Sequence, residues 1–164
     1  MTDSPEKSIY SVDTSAFLDW QLRYYPTDVF FSVLDKIDGL LKENRIFAPA
    51  LVKEEIEAVG GAELTKWAKA RSALFVPLDE VLAAAQGVQN QFPGLLDPKA
   101  EYEEADAYVI GLAQVREAVV ITGETSASEK NKPKRSHYIP DVCRELGIFS
   151  INFLGLMRRE KWKF

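Results

Sequence analysis

Short apolar runs alternate along this chain with longer segments whose apolar residues recur at helical spacing. Such runs predict strands at residues 9–12, 45–48, 74–76, 118–122 and 148–151. Helical patterns begin at Thr14 and continue at residues 28–41, 49–59, 63–73, 78–91, 102–115 and 139–146. Alternation of this kind is typical of an α/β fold, so we predict α/β architecture with a parallel sheet.

Length and composition fit one ordinary globular domain. The 164 residues predict a single domain over 1–164, with 46% hydrophobic and 27% charged residues. No apolar run approaches the roughly 20 residues of a membrane span, and the polar N-terminus lacks a signal-peptide core. Cys143 is the only cysteine, which excludes an internal disulfide and a cysteine zinc cluster. We therefore expect a cytoplasmic protein with no membrane association.

The charge is unevenly distributed along the chain. A net charge of −5 argues against a protein that coats nucleic acid by bulk attraction, but a nuclease can keep acids at its centre and bases on its rim. Two basic segments fit that division; they contain Lys130, Lys132, Lys134 and Arg135, and then Arg158, Arg159, Lys161 and Lys163. Each segment could equally be a solvated loop or a frayed terminus.

Four acidic residues stand where predicted elements end or turn: Asp13, Glu55, Asp106 and Glu124. The carboxyl ends of parallel strands face a common crevice, where carboxylates repel one another unless a cation neutralises them. Three or four such groups suffice for a hard divalent ion, without histidine or cysteine ligands. Taken singly, each acid could instead be a helix cap, a solvated helix acid, a partner of a helix dipole or a loop acid.

The order of these acids resembles the PIN-domain nuclease family, most closely a longer, less characterised branch related to VapC-type toxins. The matching segments are Val12-Asp13-Thr14-Ser15, Val52-Lys53-Glu54-Glu55-Ile56, the Ala-rich run Asp106–Ala113, and Val120-Ile121-Thr122-Gly123-Glu124. The second segment favours Glu55 over Glu54, because Glu55 precedes the aliphatic residue. Each motif is short, but the four occur in the family's order and cover nearly the whole chain.

The resemblance implies a three-layer α/β/α fold, with a central, mainly parallel sheet of about five strands. It also implies a Mg²⁺- or Mn²⁺-dependent endoribonuclease, whose catalytic and metal-binding residues would be Asp13, Glu55, Asp106 and Glu124. Thr14, Ser15 and Thr122 would orient carboxylates or water, and the RNA phosphates would contact Lys130, Lys132, Lys134 and Arg135. The protein would be a toxin restrained by a protein antitoxin, and a homodimer is plausible.

Three positions need separate comment. Glu124 stands where the family more often has Asp, and Ser15 stands where Asn is frequent. The segment Ile139-Pro140-Asp141 looks like a feature of this branch, which makes Asp141 a candidate fifth metal ligand; it could also be a first-turn acid favoured by its helix dipole. Three other functions stay open: a housekeeping PIN nuclease in RNA maturation, an inactive PIN-like binding module, and a nuclease acting mainly on DNA.

Overall fold

A computed structural model describes residues 8–100 and 104–164. Within them the strands are β1 (Tyr10–Val12), β2 (Ile46–Pro49), β3 (Phe75–Val76), β4 (Val119–Ile121) and β5 (Ser150–Ile151). The α-helices are α1 (Thr14–Leu18), α2 (Ser32–Lys42), α3 (Ala50–Val59), α4 (Gly61–Lys69), α5 (Leu82–Gln91), α6 (Asp106–Arg116), α7 (Ile139–Leu146) and α8 (Phe153–Arg159). A π-helical segment, Asp19–Tyr24, continues α1, and short 3-10 turns cover Ser72–Leu74, Leu78–Glu80, Pro93–Leu95 and Ala127–Glu129.

The five strands form one parallel sheet in the order β3-β2-β1-β4-β5. In register, Tyr10 lies opposite both Ile46 and Val119, and Ile121 lies opposite Ile151. Helices flank this sheet in a three-layer α/β/α arrangement, which confirms the predicted fold class. The apolar strands are buried at its centre, as expected for parallel strands covered on both faces.

Helix α6 is the best-buried helix near the centre of the sheet. Its residues from Asp106 to Ala113 are all buried, and it contacts β1, β2 and β4. A Cβ atom at Gly111 would lie 2.9 Å from the backbone nitrogen of Ala85, so this glycine permits the close approach of α5. Helix α6 is thus held firmly, and its first residue, Asp106, is held with it.

Several predicted boundaries differ from the observed ones. Helix α2 begins at Ser32 rather than at Asp28, because Pro26 accepts hydrogen bonds from the Val29 and Phe30 amides in a preceding turn. Pro49 ends β2 instead of opening α3, and α4 ends at Lys69 rather than continuing to residue 73. The predicted start of α6 at residue 102 lies outside the described residues.

The C-terminal helix α8 was not predicted, since its basic residues suggested a frayed terminus. Its apolar residues Phe153, Leu156 and Met157 are buried. The side chain of Asn152 caps it by accepting a hydrogen bond from the Gly155 amide at 2.8 Å. No helix among the described residues has the length and apolar character needed to cross a membrane.

Candidate active site at the carboxyl end of the sheet

The candidate site lies beyond the carboxyl ends of β1 and β4. These neighbouring strands are where the sheet order reverses, because the chain moves from β1 to β2 on one side and later returns to place β4 on the other. Such a reversal opens a crevice that α/β proteins use for ligands. Asp13 directly follows β1, and Thr122 to Glu124 follow β4. The backbone amide of Asp13 donates to the carbonyl of Ile121 at 2.8 Å, which ties the two strand ends together.

Asp13 is held by two hydroxyl groups. Ser15 Oγ donates to Asp13 Oδ2 at 2.6 Å, and Thr122 Oγ1 donates to the same oxygen at 3.1 Å. Each hydroxyl in turn accepts a backbone N–H: Ser15 Oγ from Gly123 at 2.8 Å, and Thr122 Oγ1 from Glu124 at 3.1 Å. These bonds fix the rotamer of Asp13 while its Oδ1 is not used by them, and Asp13 is only 3% exposed.

Glu55 reaches the same region from α3. Its Oε1 accepts a hydrogen bond from Thr14 Oγ1 at 2.5 Å, and its Oε2 accepts one from the Ala105 amide at 3.4 Å. Glu54, its neighbour on α3, is exposed. The geometry therefore separates the two adjacent glutamates, as the motif comparison had favoured. A cleft of about 560 Å³ opens beside Glu55 and is lined by Thr14, Leu51, Glu54, Glu55, Ala58, Val59 and Leu78.

Asp106 and Glu124 share a single guanidinium group. Arg135 Nη1 donates to Asp106 Oδ2 at 2.9 Å, and Arg135 Nη2 donates to Glu124 Oε2 at 3.4 Å. Glu124 Oε1 also accepts a hydrogen bond from the Ile139 amide at 3.2 Å, at the start of α7. Arg135, predicted to contact RNA phosphates, thus lies inside the acidic cluster in this structure. Its contacts with phosphate stay a prediction.

Glu104 is a member of the cluster that sequence reasoning missed. Its Oε2 accepts from Arg135 Nη1 at 3.4 Å, and its Oε1 accepts from the Asp97 amide at 3.1 Å. In the sequence it stood in the acidic run before Asp106 without a motif of its own. An electrostatic signal could have pointed to this cluster, because several acids that converge on one crevice require a cation. Arg135 is the one cation of the basic loop whose guanidinium can bridge acids through two N–H groups.

Burial and mutual repulsion raise the pKa values of four acids. Burial and the charge of Glu124 raise the pKa of Asp106 well above its ordinary value, although Arg135 opposes this effect. Burial and the charge of Asp13 raise the pKa of Glu124 to about 7. Burial raises the pKa of Asp13 against the opposing hydrogen bonds from Ser15 and Thr122, and burial with the charge of Asp13 raises that of Glu55. The crevice thus disfavours the charged form of every one of these groups.

The balance of charge adds to the effect of burial. Among the residues that the structure describes, the cluster brings together five carboxyl groups, those of Asp13, Glu55, Glu104, Asp106 and Glu124, but a single guanidinium. Burial disfavours the charge on Arg135, but Asp106, Glu124 and Glu104 outweigh that effect and raise its pKa. One positive charge cannot neutralise five carboxylates, so the site favours either protonation or a further cation.

The donor atoms fit a hard divalent cation in chemistry, since all are carboxylate oxygens or hydroxyls. Their present arrangement does not complete a ligand set. Within residues 8–100 and 104–164, no three Asp, Glu, His or Cys side chains are positioned to hold one metal ion together. Three of the carboxylates point oxygens at Arg135 instead.

Asp141 makes a different set of contacts from the four central acids. Its Oδ2 accepts hydrogen bonds from the Tyr138 amide at 2.8 Å and from the Ala127 amide at 2.9 Å, and its Oδ1 accepts one from Arg144 at 3.3 Å. This is the first-turn acid of α7, which reaches back to cap the helix and anchors the loop before it. Capping accounts for Asp141, and its role as a fifth metal ligand stays a prediction without support from this geometry.

The three lysines of the basic loop lie outside the cluster. Lys130 Nζ donates to Thr125 Oγ1 at 2.9 Å and lies 4.4 Å from the centre of the Tyr138 ring. Lys132 and Lys134 are exposed. The loop therefore presents positive charge to solvent beside the acidic crevice, with Lys132 and Lys134 as its outermost members.

Comparison with known proteins gives a family but no activity. No curated protein matches the chain. One family model matches residues 10–164, a range that includes every residue of the acidic cluster and all five strands. The chain therefore belongs to the family described as "Domain of unknown function (DUF4411)".

Proposed function

We propose that this protein is a metal-dependent endoribonuclease that hydrolyses RNA phosphodiesters. One observation carries the proposal: Asp13, Glu55, Asp106 and Glu124 converge at the point where the sheet order reverses, with a single guanidinium against their charge. Pronounced pKa shifts in a crevice are typical of functional sites. The choice of RNA as substrate rests on the resemblance of the four motifs to PIN-domain nucleases.

The proposed division of labour follows from the contacts. Asp13, Asp106 and Glu124 would hold the ion, with Glu55 beside them; Mg²⁺ or Mn²⁺ would supply acidity to the attacking water and charge to offset the phosphate. Ser15 and Thr122 fix the orientation of Asp13, and Thr14 fixes that of Glu55. Lys132 and Lys134 would contact phosphates of the bound strand from the rim. A protein antitoxin covering this crevice and a homodimer belong to the same proposal.

A second candidate is a module that binds RNA or protein without cleaving it. The observation that favours it is the position of Arg135, which takes up carboxylate oxygens that a metal ion would use. The housekeeping nuclease and the DNA nuclease share the proposed chemistry, so they differ from the toxin only in substrate and in the presence of an antitoxin.

Cleavage assays on RNA and on DNA, with Mg²⁺ or Mn²⁺, separate these functions. Asp13→Asn and Asp106→Asn should each lower RNA cleavage by more than about 100-fold, because even residues that only orient metal ligands typically contribute 10- to 100-fold. Glu55→Gln should lower it strongly, whereas Glu54→Gln, its exposed neighbour on α3, should change it by less than about threefold.

Cleavage that survives both aspartate substitutions would place the chemistry elsewhere. RNA binding without cleavage under any divalent ion would favour the binding module. Faster cleavage of DNA than of RNA would replace the proposed substrate, while the same acids would remain essential. Growth arrest on expression, relieved by a protein encoded beside this one, would support the toxin over a housekeeping nuclease.

A further inference from the structure

Arg135 joins three acids from two separate segments of the chain. Its Nη1 donates to Asp106 Oδ2 at 2.9 Å and to Glu104 Oε2 at 3.4 Å, and its Nη2 donates to Glu124 Oε2 at 3.4 Å. Glu104 precedes α6, Asp106 opens it, and Glu124 follows β4. The guanidinium thus links the start of α6 to the end of a central strand.

The protein also supports the guanidinium from its other side. Nη1 donates to the Leu95 carbonyl at 2.9 Å, and the guanidinium lies 4.5 Å from the centre of the Tyr138 ring. The Arg135 side chain is 14% exposed, and in the part of the chain that the structure describes it is the one cation within ion-pair distance of the five clustered acids. Arg135 therefore has more supporting contacts than an incidental surface ion pair would have.

We infer that Arg135 is a built-in counter-cation, which holds the acidic cluster together without metal and competes with a divalent ion for Asp106 and Glu124. This inference rests on the proposed function, because it concerns the same metal-binding acids. It explains why no three of the described acids are arranged for a metal ion in this conformation: the guanidinium draws the oxygens of Glu104, Asp106 and Glu124 toward itself.

Competition follows from the atoms that are shared. A divalent ion needs direct contact with carboxylate oxygens, at about 2.0–2.6 Å. Arg135 already occupies Asp106 Oδ2 and Glu124 Oε2, and a guanidinium beside a divalent cation on the same oxygens would be repelled by it. Binding of the ion therefore requires Arg135 to withdraw from at least these two acids.

The loop that carries Arg135 can accommodate that withdrawal. Residues 130–138 link the 3-10 turn Ala127–Glu129 to α7, and they contain no regular helix or strand. Lys132, Pro133 and Lys134 are exposed, so movement of this part of the loop uncovers no apolar core. Withdrawal breaks the bonds of Arg135 to Leu95 and the three acids and its contact with the Tyr138 ring, and it requires no movement of the sheet or α6.

The test is a titration of the metal-free protein with Mn²⁺, in which the signal of the free ion in electron paramagnetic resonance reports binding. Arg135→Gln should bind Mn²⁺ about tenfold more tightly than the parent, which is the effect of removing one competing charge. Arg135→Lys keeps the charge but not the two-pronged contact, and should lie between them. Lys134→Gln is the matched control, since it removes a charge from an exposed position of the same loop and should change affinity by less than about threefold.

Urea unfolding in the presence of EDTA gives a readout independent of metal affinity. Arg135→Gln should lower the unfolding midpoint, and saturating Mn²⁺ should restore it to that of the Mn²⁺-bound parent. A deficit that Mn²⁺ does not restore would mean that Arg135 serves packing alone, which overturns the inference.

Consider the case in which the parent binds Mn²⁺ and Asp106→Asn does not. If the Mn²⁺ affinity then fails to rise in the order parent, Arg135→Lys, Arg135→Gln, the competition is overturned but the proposed function is not. Absence of Mn²⁺ and Mg²⁺ binding in the parent and all three variants would overturn both.

Discussion

Both ends of β1 are buried, but they differ in charge. The amino end pairs opposite charges, whereas the carboxyl end carries an excess of negative charge. At the amino end, Arg45 Nη2 lies 2.5 Å from Glu160 Oε2, with side chains only 10% and 7% exposed. Tyr10, the first residue of β1, donates its hydroxyl to the same glutamate oxygen, and Arg45 Nε donates to the Ser8 carbonyl at 2.9 Å. This end is a closed structural network in which opposite charges meet.

At the carboxyl end, five carboxyl groups face one guanidinium. Burial is shared by both ends, so burial alone does not make a functional site. The difference lies in the excess of negative charge, which adds to burial in raising the pKa values of Asp106, Glu124 and Glu55, whereas burial raises that of Asp13. A buried balanced pair resembles a structural element, whereas a buried excess of one charge resembles a site that awaits a ligand.

The largest stability effect is expected at the balanced end. Glu160→Gln removes the charge that Arg45 pairs with at 2.5 Å and should lower the free energy of unfolding by about 2 kcal/mol, because it weakens a charge-assisted hydrogen bond while Glu43 stays paired with Arg45 at 3.4 Å. RNA cleavage by the folded protein should stay within about twofold of the parent, because this end holds no candidate metal ligand. Chemical denaturation and cleavage assays measure both. Loss of cleavage in the folded variant would break the proposed separation of the two ends.

At the carboxyl end we expect a smaller effect on the free energy of unfolding, and this effect should depend on pH. The folded pKa of Glu124, about 7, lies above its ordinary value, so the folded protein binds the proton more tightly than the unfolded chain does. That stabilisation is complete below the ordinary glutamate pKa and is lost as pH rises through about 7. Asp13, Asp106 and Glu55 act in the same direction.

The metal-free parent should therefore lose stability between pH 5 and 8, and the slope that one such group contributes is at most about 1.4 kcal/mol per pH unit. Glu124→Gln should flatten the dependence, whereas Glu54→Gln should leave it unchanged. Urea unfolding in EDTA across this range is the measurement. A stability that rises with pH in the parent would show that the carboxylates are better neutralised than their contacts indicate.

The fold was largely predictable because its three central strands are buried and all five strands lie in apolar runs of the sequence. Each of the five predicted strands overlaps an observed one, and α3 and α7 match closely. Helix α8 escaped prediction because it is short and ends in the basic residues Arg158 and Arg159, while its stability comes from burial of Phe153 and Leu156 and from the Asn152 cap. Those are tertiary and capping effects that charge composition conceals.

The site was predictable only as far as motifs mark strand and helix ends. Asp13 and Glu124 follow adjacent strands, so their proximity follows from topology. Arg135 was grouped with its basic neighbours, because its guanidinium suits the bridging of acids but no local pattern indicates which cation of a loop turns inward. The fold decides it, by bringing the Leu95 carbonyl and the Tyr138 ring to the guanidinium. Asp141 is ambiguous in the sequence for a related reason, since an acid in the first turn of a helix serves capping and ligation equally well.

Thermal unfolding with and without excess Mn²⁺ tests most directly whether the unbalanced end binds a divalent ion. The parent should gain about 5 °C or more, because saturating ligand at about 100 times its dissociation constant contributes roughly 2.7 kcal/mol. Asp106→Asn should unfold at a higher temperature than the metal-free parent and should gain little from Mn²⁺, while Glu160→Gln should unfold earlier and keep the full gain. An equal gain in the parent and in Asp106→Asn, or no gain in the parent, would contradict the account.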